Sequence, residues 1–187
     1  FFFRSINEGA NSAAISPKLT LTDRGSATAI AESPRVQGLL YAGTDDGGAW
    51  VSRDNGVKWE RIDTSLPDMP GPRYISAIVP SRHTDGRVFM TLDGHRSNDF
   101  KTYVFQSSDY GKKWKSIVGN LPANEAVRSF CEDNKNNRLI FCGTEAGCYA
   151  SLDRGKSWLK LSGGLPTVPV HDLKIQDRDS ELVAGTH

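Results

Sequence analysis

Eight polar residues could bind a ligand or take part in catalysis: Asp45, Asp46, Asp93, His95, Arg96, Asp99, Glu145 and His171. Two carboxylates that flank a glycosidic bond can hydrolyse it, one as the acid and the other as the base or nucleophile. Asp46 and Asp93 are the candidates for that catalytic pair. The same polar groups would equally bind a sugar without turnover, or simply form a solvated loop that is hydrogen-bonded to itself.

The segment 93–100 holds four of these eight residues, and loops of extra length commonly carry function. His171 lies instead in an alternating apolar segment beside Asp172, where only one of the two can face inward. It is either a ligand contact or a structural histidine. His187 follows a Gly-Thr pair, as Asp45 and Glu145 do, and joins the same set.

Metal and cofactor motifs are not apparent. No spacing of histidine, cysteine and carboxylate suggests zinc, and there is neither an EF-hand loop nor a glycine-rich phosphate loop. We therefore predict no metal site and no cofactor, with a single calcium ion held by turn carboxylates as the one alternative left open. Cys131, Cys142 and Cys148 allow one local disulfide, but they are better explained as small buried residues on neighbouring strands.

The composition describes an ordinary globular protein. The 187 residues carry a formal net charge of +1, and 37% of them are hydrophobic. The chain has no long basic run, which argues against a nucleic-acid partner. No stretch approaches the roughly 18 apolar residues of a membrane span, so we expect no span either.

The clearest feature is an internal repeat with the pattern S-x-D-x-G-x-x-W. Its three intact copies are Ser52, Asp54, Gly56 and Trp59; Ser107, Asp109, Gly111 and Trp114; and Ser151, Asp153, Gly155 and Trp158. A decayed fourth copy spans 5–12, with Asn7 in place of the aspartate. An aspartate can close a turn through backbone N–H groups and a glycine allows positive φ, so we interpret these residues as structural.

Each repeat unit contains four short apolar segments separated by turns. Gly-Thr ends the second segment in most units, and Leu-Pro follows the fourth at 66–67, 121–122 and 165–166. Four strands in a unit of about 40–50 residues indicate an all-β fold, a β-propeller of four-stranded antiparallel blades. The predicted boundaries are 25–64, 72–118 and 125–162 for three full blades, 1–16 for the last two strands of a blade, and 169–187 for the first two.

The repeated segments are similar to Asp boxes, or BNR repeats, and almost all of residues 1–187 resembles the Asp-box propeller family. Within it, the segments 42–48, 93–99 and 165–173 most resemble large bacterial sortilin-like and glycosyl-hydrolase-like proteins. The resemblance implies an extracellular or periplasmic location. It implies no single activity, because the family includes sialidases, xyloglucanases, sortilin-type receptors and photosystem assembly factors.

In a propeller the first strand of each blade lines the central channel, and the Asp boxes lie on the rim opposite the candidate residues. The expected partners are the remaining blades of a larger propeller or a second copy of the chain, because exposed strand edges invite pairing. A composite blade made from the two terminal strand pairs is an alternative. For function, we expect a binding scaffold for a protein or glycan without catalysis in this segment. The alternative is a glycoside hydrolase that uses carboxylates on the rim.

Overall fold

Short apolar segments between glycine-rich and asparagine-rich turns fold into β-strands. The computed structural model describes residues 1–186, and this range contains sixteen strands, all paired antiparallel. In chain order they are β1 (Phe3–Arg4), β2 (Ala13–Ala14), β3 (Ala27–Glu32), β4 (Leu40–Thr44), β5 (Ala49–Ser52), β6 (Glu60–Arg61), β7 (Tyr74–Pro80), β8 (Val88–Asp93), β9 (Tyr103–Ser107), β10 (Lys115–Ser116), β11 (Val127–Glu132), β12 (Ile140–Thr144), β13 (Gly147–Ser151), β14 (Leu159–Lys160), β15 (Val170–Gln176) and β16 (Glu181–Thr186). Two 3₁₀ turns occupy Asp63–Ser65 and His95–Ser97. The candidate His187 lies outside the described residues.

Successive strands form three four-stranded sheets flanked by two strand pairs. We call them half-blade 1 (β1–β2), blade 2 (β3–β6), blade 3 (β7–β10), blade 4 (β11–β14) and half-blade 5 (β15–β16). Within each sheet the spatial order follows the chain order, so every full blade has a first and a fourth strand at its edges. The expected all-β fold, a partial propeller with three full blades and two half blades, is confirmed.

The first strands surround a common cavity. Residues of β3, β7, β11 and β15 line it, including Ile30, Ile78, Phe130 and Leu173. The fourth strands β6, β10 and β14 are each two residues long and exposed. The first strands therefore face the central channel, and the fourth strands form the outer edge of the propeller.

Neighbouring blades pack face to face, which explains why the second strands are apolar on both faces. Every residue of β4 and β8 is buried. The glycine of the Gly-Thr pair allows this close approach, because a Cβ added at Gly43 would lie 2.5 Å from Ile75 of the next blade. At Gly143 an added Cβ would lie 2.6 Å from the carbonyl oxygen of Val170. At Gly185, which no later blade covers, the nearest atom would be at an ordinary 3.5 Å.

The eight-residue motif forms the hairpin between the third and fourth strands of each full blade. In blade 2 the Ser52 hydroxyl donates to Asp54 (2.9 Å) and accepts from the Gly56 amide (2.8 Å). Asp54 also accepts from the Lys58 amide at 2.8 Å. The hairpins of blades 3 and 4 repeat these bonds. In half-blade 1, Asn7 takes the place of the aspartate and accepts the equivalent bonds at 2.9 Å.

The motif also joins each blade to the preceding one, which the sequence pattern did not reveal. The Trp114 indole donates to the carbonyl of Ile62 at 2.6 Å, and a Cβ at Gly111 would lie 2.8 Å from the Ile62 side chain. Trp59 and Trp158 donate in the same way to the carbonyls of Ile15 and Ile117. The tryptophan and the glycine of the motif thus both contact the same isoleucine of the preceding blade.

The two ends of the blades differ in what they carry. The Tyr110 amide donates to the Gly86 carbonyl at 2.8 Å, so the motif hairpin lies beside the loop that joins the first two strands. We call this end the motif rim. The other end, which we call the loop rim, carries the loops between second and third strands and the connections between blades.

The cysteines lie on three adjacent strands of blade 4, and none forms a disulfide. Burial raises the pKa of Cys148 to about 11, and burial with the nearby Cys148 raises that of Cys131 to about 12. Cys142 is fully buried, which raises its pKa well above the usual value. These thiols are therefore protonated and behave as small apolar residues.

Candidate functional site

Each first strand contains a β-bulge near its start, on the side of the loop rim. The strand register shifts at one residue in each case, and the four residues at these shifts are Thr28, Ser76, Arg128 and His171. A bulge places an extra residue in one strand and re-aims its side chain. The fold therefore offers one variable position per blade at the mouth of the channel.

In two blades the bulge residue has a structural task. The Thr28 hydroxyl donates to the Ile75 carbonyl at 2.8 Å, and the Ser76 hydroxyl donates to the Val127 carbonyl at 2.6 Å. In blade 4 the following residue, Ser129, donates to the equivalent Val170 carbonyl at 2.9 Å. In blade 4 the contact to the next blade therefore comes from Ser129. The Arg128 side chain at the bulge contacts Glu145 and Asp93 instead.

Three carboxylates occupy equivalent positions on the loop rim. In each full blade, one residue of the second strand pairs with the residue just before the bulge, and these second-strand residues are Thr44, Leu92 and Thr144. Each is followed by an acidic residue, and these residues are Asp45, Asp93 and Glu145. Successive blades therefore present a carboxylate at the same height on the rim.

Arg128 lies between two of these carboxylates. Its Nε donates to Glu145 at 2.7 Å, and its Nη1 lies 3.4 Å from Asp93 in the preceding blade. The Asp93 side chain is only 4% exposed and also accepts from His95, whose Nδ1 lies at 2.7 Å and whose amide lies at 3.0 Å. A buried carboxylate requires such partners. We call Asp93, His95, Arg128 and Glu145 the rim cluster.

The insertion after β8 builds a second group beside the rim cluster. Arg73 and the Tyr103 hydroxyl both donate to Asp99 at 2.8 Å. Burial alone would raise the pKa of Asp99, but these bonds outweigh it and hold the pKa below its usual value. Burial and the Asp99 carboxylate raise the pKa of Tyr103 to about 12. Arg96 lies over the ring of Tyr74, 5.1 Å from its centre.

The carboxylates of blade 2 have local partners. Asp46 accepts from the amide and hydroxyl of Thr22 at 2.7 and 2.9 Å, and from the Thr44 hydroxyl at 2.6 Å. Against the opposing effect of burial, these bonds lower the pKa of Asp46. Asp45 accepts from the Ser26 amide at 2.6 Å. Asp46 and Asp93 thus belong to separate hydrogen-bond networks.

The structure brings together only part of the predicted set. Asp93, His95 and Glu145 share one network, with Arg96 and Asp99 in the adjacent insertion, whereas His171 is an exposed bulge residue of half-blade 5. The sequence interpretation missed Arg128, which was not among the candidate residues. One sequence feature could have indicated Arg128: the hydroxyl residue Ser129 of blade 4 lies one position later in its strand than Ser76 does in blade 3. This difference is visible only when the two strands are aligned by their pairing register.

Within residues 1–186, no group of three or more histidine, cysteine or acidic residues is arranged to hold a metal ion. The described part of the chain also contains no helix that is long and apolar enough to cross a membrane. The rim cluster thus consists of two carboxylates, a guanidinium and an imidazole, and it offers both donors and acceptors to a polar ligand.

Known proteins resemble this chain in sequence and fold. A family model described as sortilin, neurotensin receptor 3 (Sortilin-Vps10) matches residues 47–164, more than half of the chain. A xyloglucanase from Hypocrea jecorina is 26% identical over 143 residues, which cover 69% of this chain and 17% of the relative. The chain therefore spans about a sixth of the length of that relative.

Solved structures give the same fold at low sequence identity. An ancestral GH74 enzyme superimposes with a TM-score of 0.69 at 14% identity, covering 86% of this chain and 22% of the other. The GH74 enzyme of Niastella koreensis gives 0.65 at 20% identity, covering 87% and 26%. This chain therefore covers about a quarter of the length of each of these two structures.

Proposed function

Because the chain belongs to the Sortilin-Vps10 family of propeller proteins, we propose that it is a binding scaffold whose loop rim holds a glycan. The rim cluster carries this proposal, since it joins two blades through a buried carboxylate and leaves His95 and Glu145 partly accessible. Sugar hydroxyls require both donors and acceptors, and the cluster presents both. In the adjacent insertion, Arg96 lies over the Tyr74 ring and the hydroxyl of the buried Tyr103 donates to Asp99.

The charge of the rim cluster favours a neutral glycan. Arg128 is already paired with Asp93 and Glu145, so its charge is not available to an anionic sugar. The xyloglucanase among the relatives makes xyloglucan oligosaccharides the first probe. A ligand of neutral hydroxyl groups would add hydrogen bonds without separating these ion pairs.

Titration calorimetry with xyloglucan oligosaccharides tests the proposal. We expect His95→Ala and Glu145→Gln to weaken binding about tenfold, which is the loss of one good hydrogen bond. Asp109→Asn makes a matched change on the motif rim and should leave binding unchanged. Equal affinity in all four proteins would rule out the rim cluster, and release of reducing sugar by the chain would contradict a scaffold without catalysis.

The second candidate is a glycoside hydrolase that uses Asp46 and Asp93, and it is favoured by the xyloglucanase relative. Against it, the hydrogen bonds from Thr44 and Thr22 lower the pKa of Asp46, which makes this carboxyl a poor general acid at neutral pH. Asp46→Asn and Asp93→Asn would each abolish the release of reducing sugar from xyloglucan if this pair were catalytic.

We further propose that the chain works outside the cytoplasm as a part of a larger propeller. The family resemblance implies this location, and protonated, mostly buried thiols tolerate oxidising surroundings. The open strands of half-blades 1 and 5 would then be completed by other blades of the same protein. A second copy of this chain is the alternative source of those strands.

A further inference from the structure

The motif rim carries a strongly basic groove at the junction between blades 3 and 4. It lies between the fourth strand of blade 3 and the motif hairpin of blade 4. The groove between blades 3 and 4 is lined by Lys115, Arg138, Arg154 and Lys156, together with Ser116, Ile117, Gly119, Asp153 and Gly155. We call it the basic groove.

Comparison with the equivalent positions of the other blades shows that this groove is unusually basic. The four cations occupy four positions of the repeat: the residue after the motif tryptophan, the residue after the motif glycine, and the two residues joined by the bond from the hairpin amide to the loop carbonyl. Between half-blade 1 and blade 2 they are Ala13, Val57, Asn55 and Gly38. Between blades 2 and 3 they are Glu60, Lys112, Tyr110 and Gly86. Between blades 3 and 4 they are Lys115, Lys156, Arg154 and Arg138, so only here are all four basic.

The four cations of the lining outnumber its acids. The Asp153 carboxylate is the one acid in the lining, and its oxygens accept from Ser151 at 2.8 Å and from the Ser157 amide and hydroxyl at 2.9 and 2.6 Å. Lys115, Arg138 and Lys156 form no ion pair with any described residue. Arg154 bonds only to the neutral Asn137 side chain and to backbone groups.

A fifth cation lies close behind the groove. The Nε and Nη1 atoms of Arg87 are buried without a hydrogen-bond partner. Burial and the nearby charge of Arg154 lower the pKa of Arg87, and the opposing attraction of Glu132 does not offset them. A guanidinium with unpartnered N–H groups beside a second guanidinium is costly unless an anion shares the site.

We propose that the basic groove is a binding site for an anionic polysaccharide chain, on the rim opposite the rim cluster. Its lining offers charge but no exposed apolar side chain, since Ile117 is only 5% exposed. A peptide would need an apolar anchor of the kind that dominates protein interfaces. Sulfate or carboxylate groups along a polysaccharide need only the cations.

Binding of dextran sulfate to the chain, measured by calorimetry at low salt, tests this site. The double variant Lys115→Ala, Lys156→Val replaces both lysines by Ala13 and Val57, the residues at the equivalent positions between half-blade 1 and blade 2, and the repeat accepts those residues in the same backbone geometry. We expect affinity to fall at least tenfold in this variant. Lys112→Val changes the position equivalent to Lys156 at the junction between blades 2 and 3 and should change affinity less than twofold.

Three further measurements complete the test. Unchanged thermal unfolding of the double variant would show that the loss of affinity comes from the groove. Neutral dextran should not bind. If dextran sulfate binds the double variant as tightly as the parent chain, the site is wrong. If polyglutamate binds the parent as tightly as dextran sulfate, the assignment to a polysaccharide is wrong and the groove recognises acidic peptides.

Discussion

At the scale of single residues, the site depends on departures from the repeat. The bulge position holds a hydroxyl that joins blades in two cases and holds Arg128 or His171 in the other two. Arg128 in turn lies 3.4 Å from the nearly buried Asp93 carboxylate and gives it a cationic partner. The residues that all blades share are used for packing. The residues that differ between blades are therefore the ones available for function.

We expect Arg128→Met to destabilise the chain by about 1–3 kcal/mol, because it leaves the Asp93 carboxylate buried beside only a histidine. The free energy of unfolding in urea measures this effect. Arg96→Met is the matched control, since Arg96 is exposed and contacts only the Tyr74 ring, and it should change stability by less than about 0.5 kcal/mol. Equal effects of the two substitutions would show that Arg128 does not support Asp93.

At the scale of elements, the motif hairpin has two tasks, closing its own turn and holding the preceding blade. Gly9 and Gly111 separate these tasks, because both have positive φ (93° and 90°) but only Gly111 is packed against another blade. A Cβ would meet nothing within 4 Å at Gly9 and would meet Ile62 at 2.8 Å at Gly111.

We therefore expect Gly111→Ala to destabilise the chain more than Gly9→Ala. Positive φ costs an alanine about 1–2 kcal/mol at either position, and overpacking against Ile62 adds about 1–3 kcal/mol at Gly111 alone. Chemical unfolding of both variants gives the difference. Indistinguishable free energies would mean that the glycine serves only its own turn.

The carboxylates of the motif predict a specific dependence on pH. The Ser157 hydroxyl and amide lower the pKa of Asp153 to about 2, from an ordinary value of 3.8. The ionised form therefore stabilises the folded chain above about pH 4, and this contribution is lost as the pH falls through about 2.

Asp153→Asn should flatten the fall in melting temperature between pH 4 and pH 2, because Asn7 shows that an amide oxygen accepts the same bonds. Asp177→Asn, in the exposed turn between β15 and β16, should leave the profile unchanged. Thermal unfolding followed at several pH values makes the comparison. A profile for Asp153→Asn that runs parallel to the parent's would contradict the assigned role.

At the scale of the whole molecule, the propeller is open at both ends. β1 and β16 each pair along one side only, and Phe1 and Phe3 are 74% and 65% exposed. Unpaired strand edges with apolar side chains are templates for association. The remaining blades of a larger propeller or a second copy would satisfy them.

We expect the 187-residue chain to associate as its concentration rises, because pairing at these edges buries backbone groups and the exposed phenylalanines. Sedimentation velocity between about 5 and 100 μM would detect it. Val183→Lys, on the exposed edge strand β16, should weaken association, because charged residues on edge strands oppose pairing. A monomer over the whole range would contradict this expectation.

The sequence alone determined the repeat, the strand count of each unit and the structural role of the motif. These features are local: Ser, Asp and Gly act within five residues of one another, and a turn closed by such bonds needs no distant partner. The sequence also identified the loops that carry Asp93, His95 and Glu145, because the insertion 93–100 lengthens one repeat unit and Glu145 follows a Gly-Thr pair.

Only the tertiary structure decided which of these side chains meet. Asp93 and Arg128 lie on different blades, and their approach depends on a one-residue bulge and on the packing of blade 3 against blade 4, where Ser76 donates to the Val127 carbonyl. The same holds for the basic groove, whose four cations come from separate loops. Contacts between blades depend on packing across the interface between them. A sequence pattern that repeats within each blade therefore does not show which of the residues that differ from it will be neighbours.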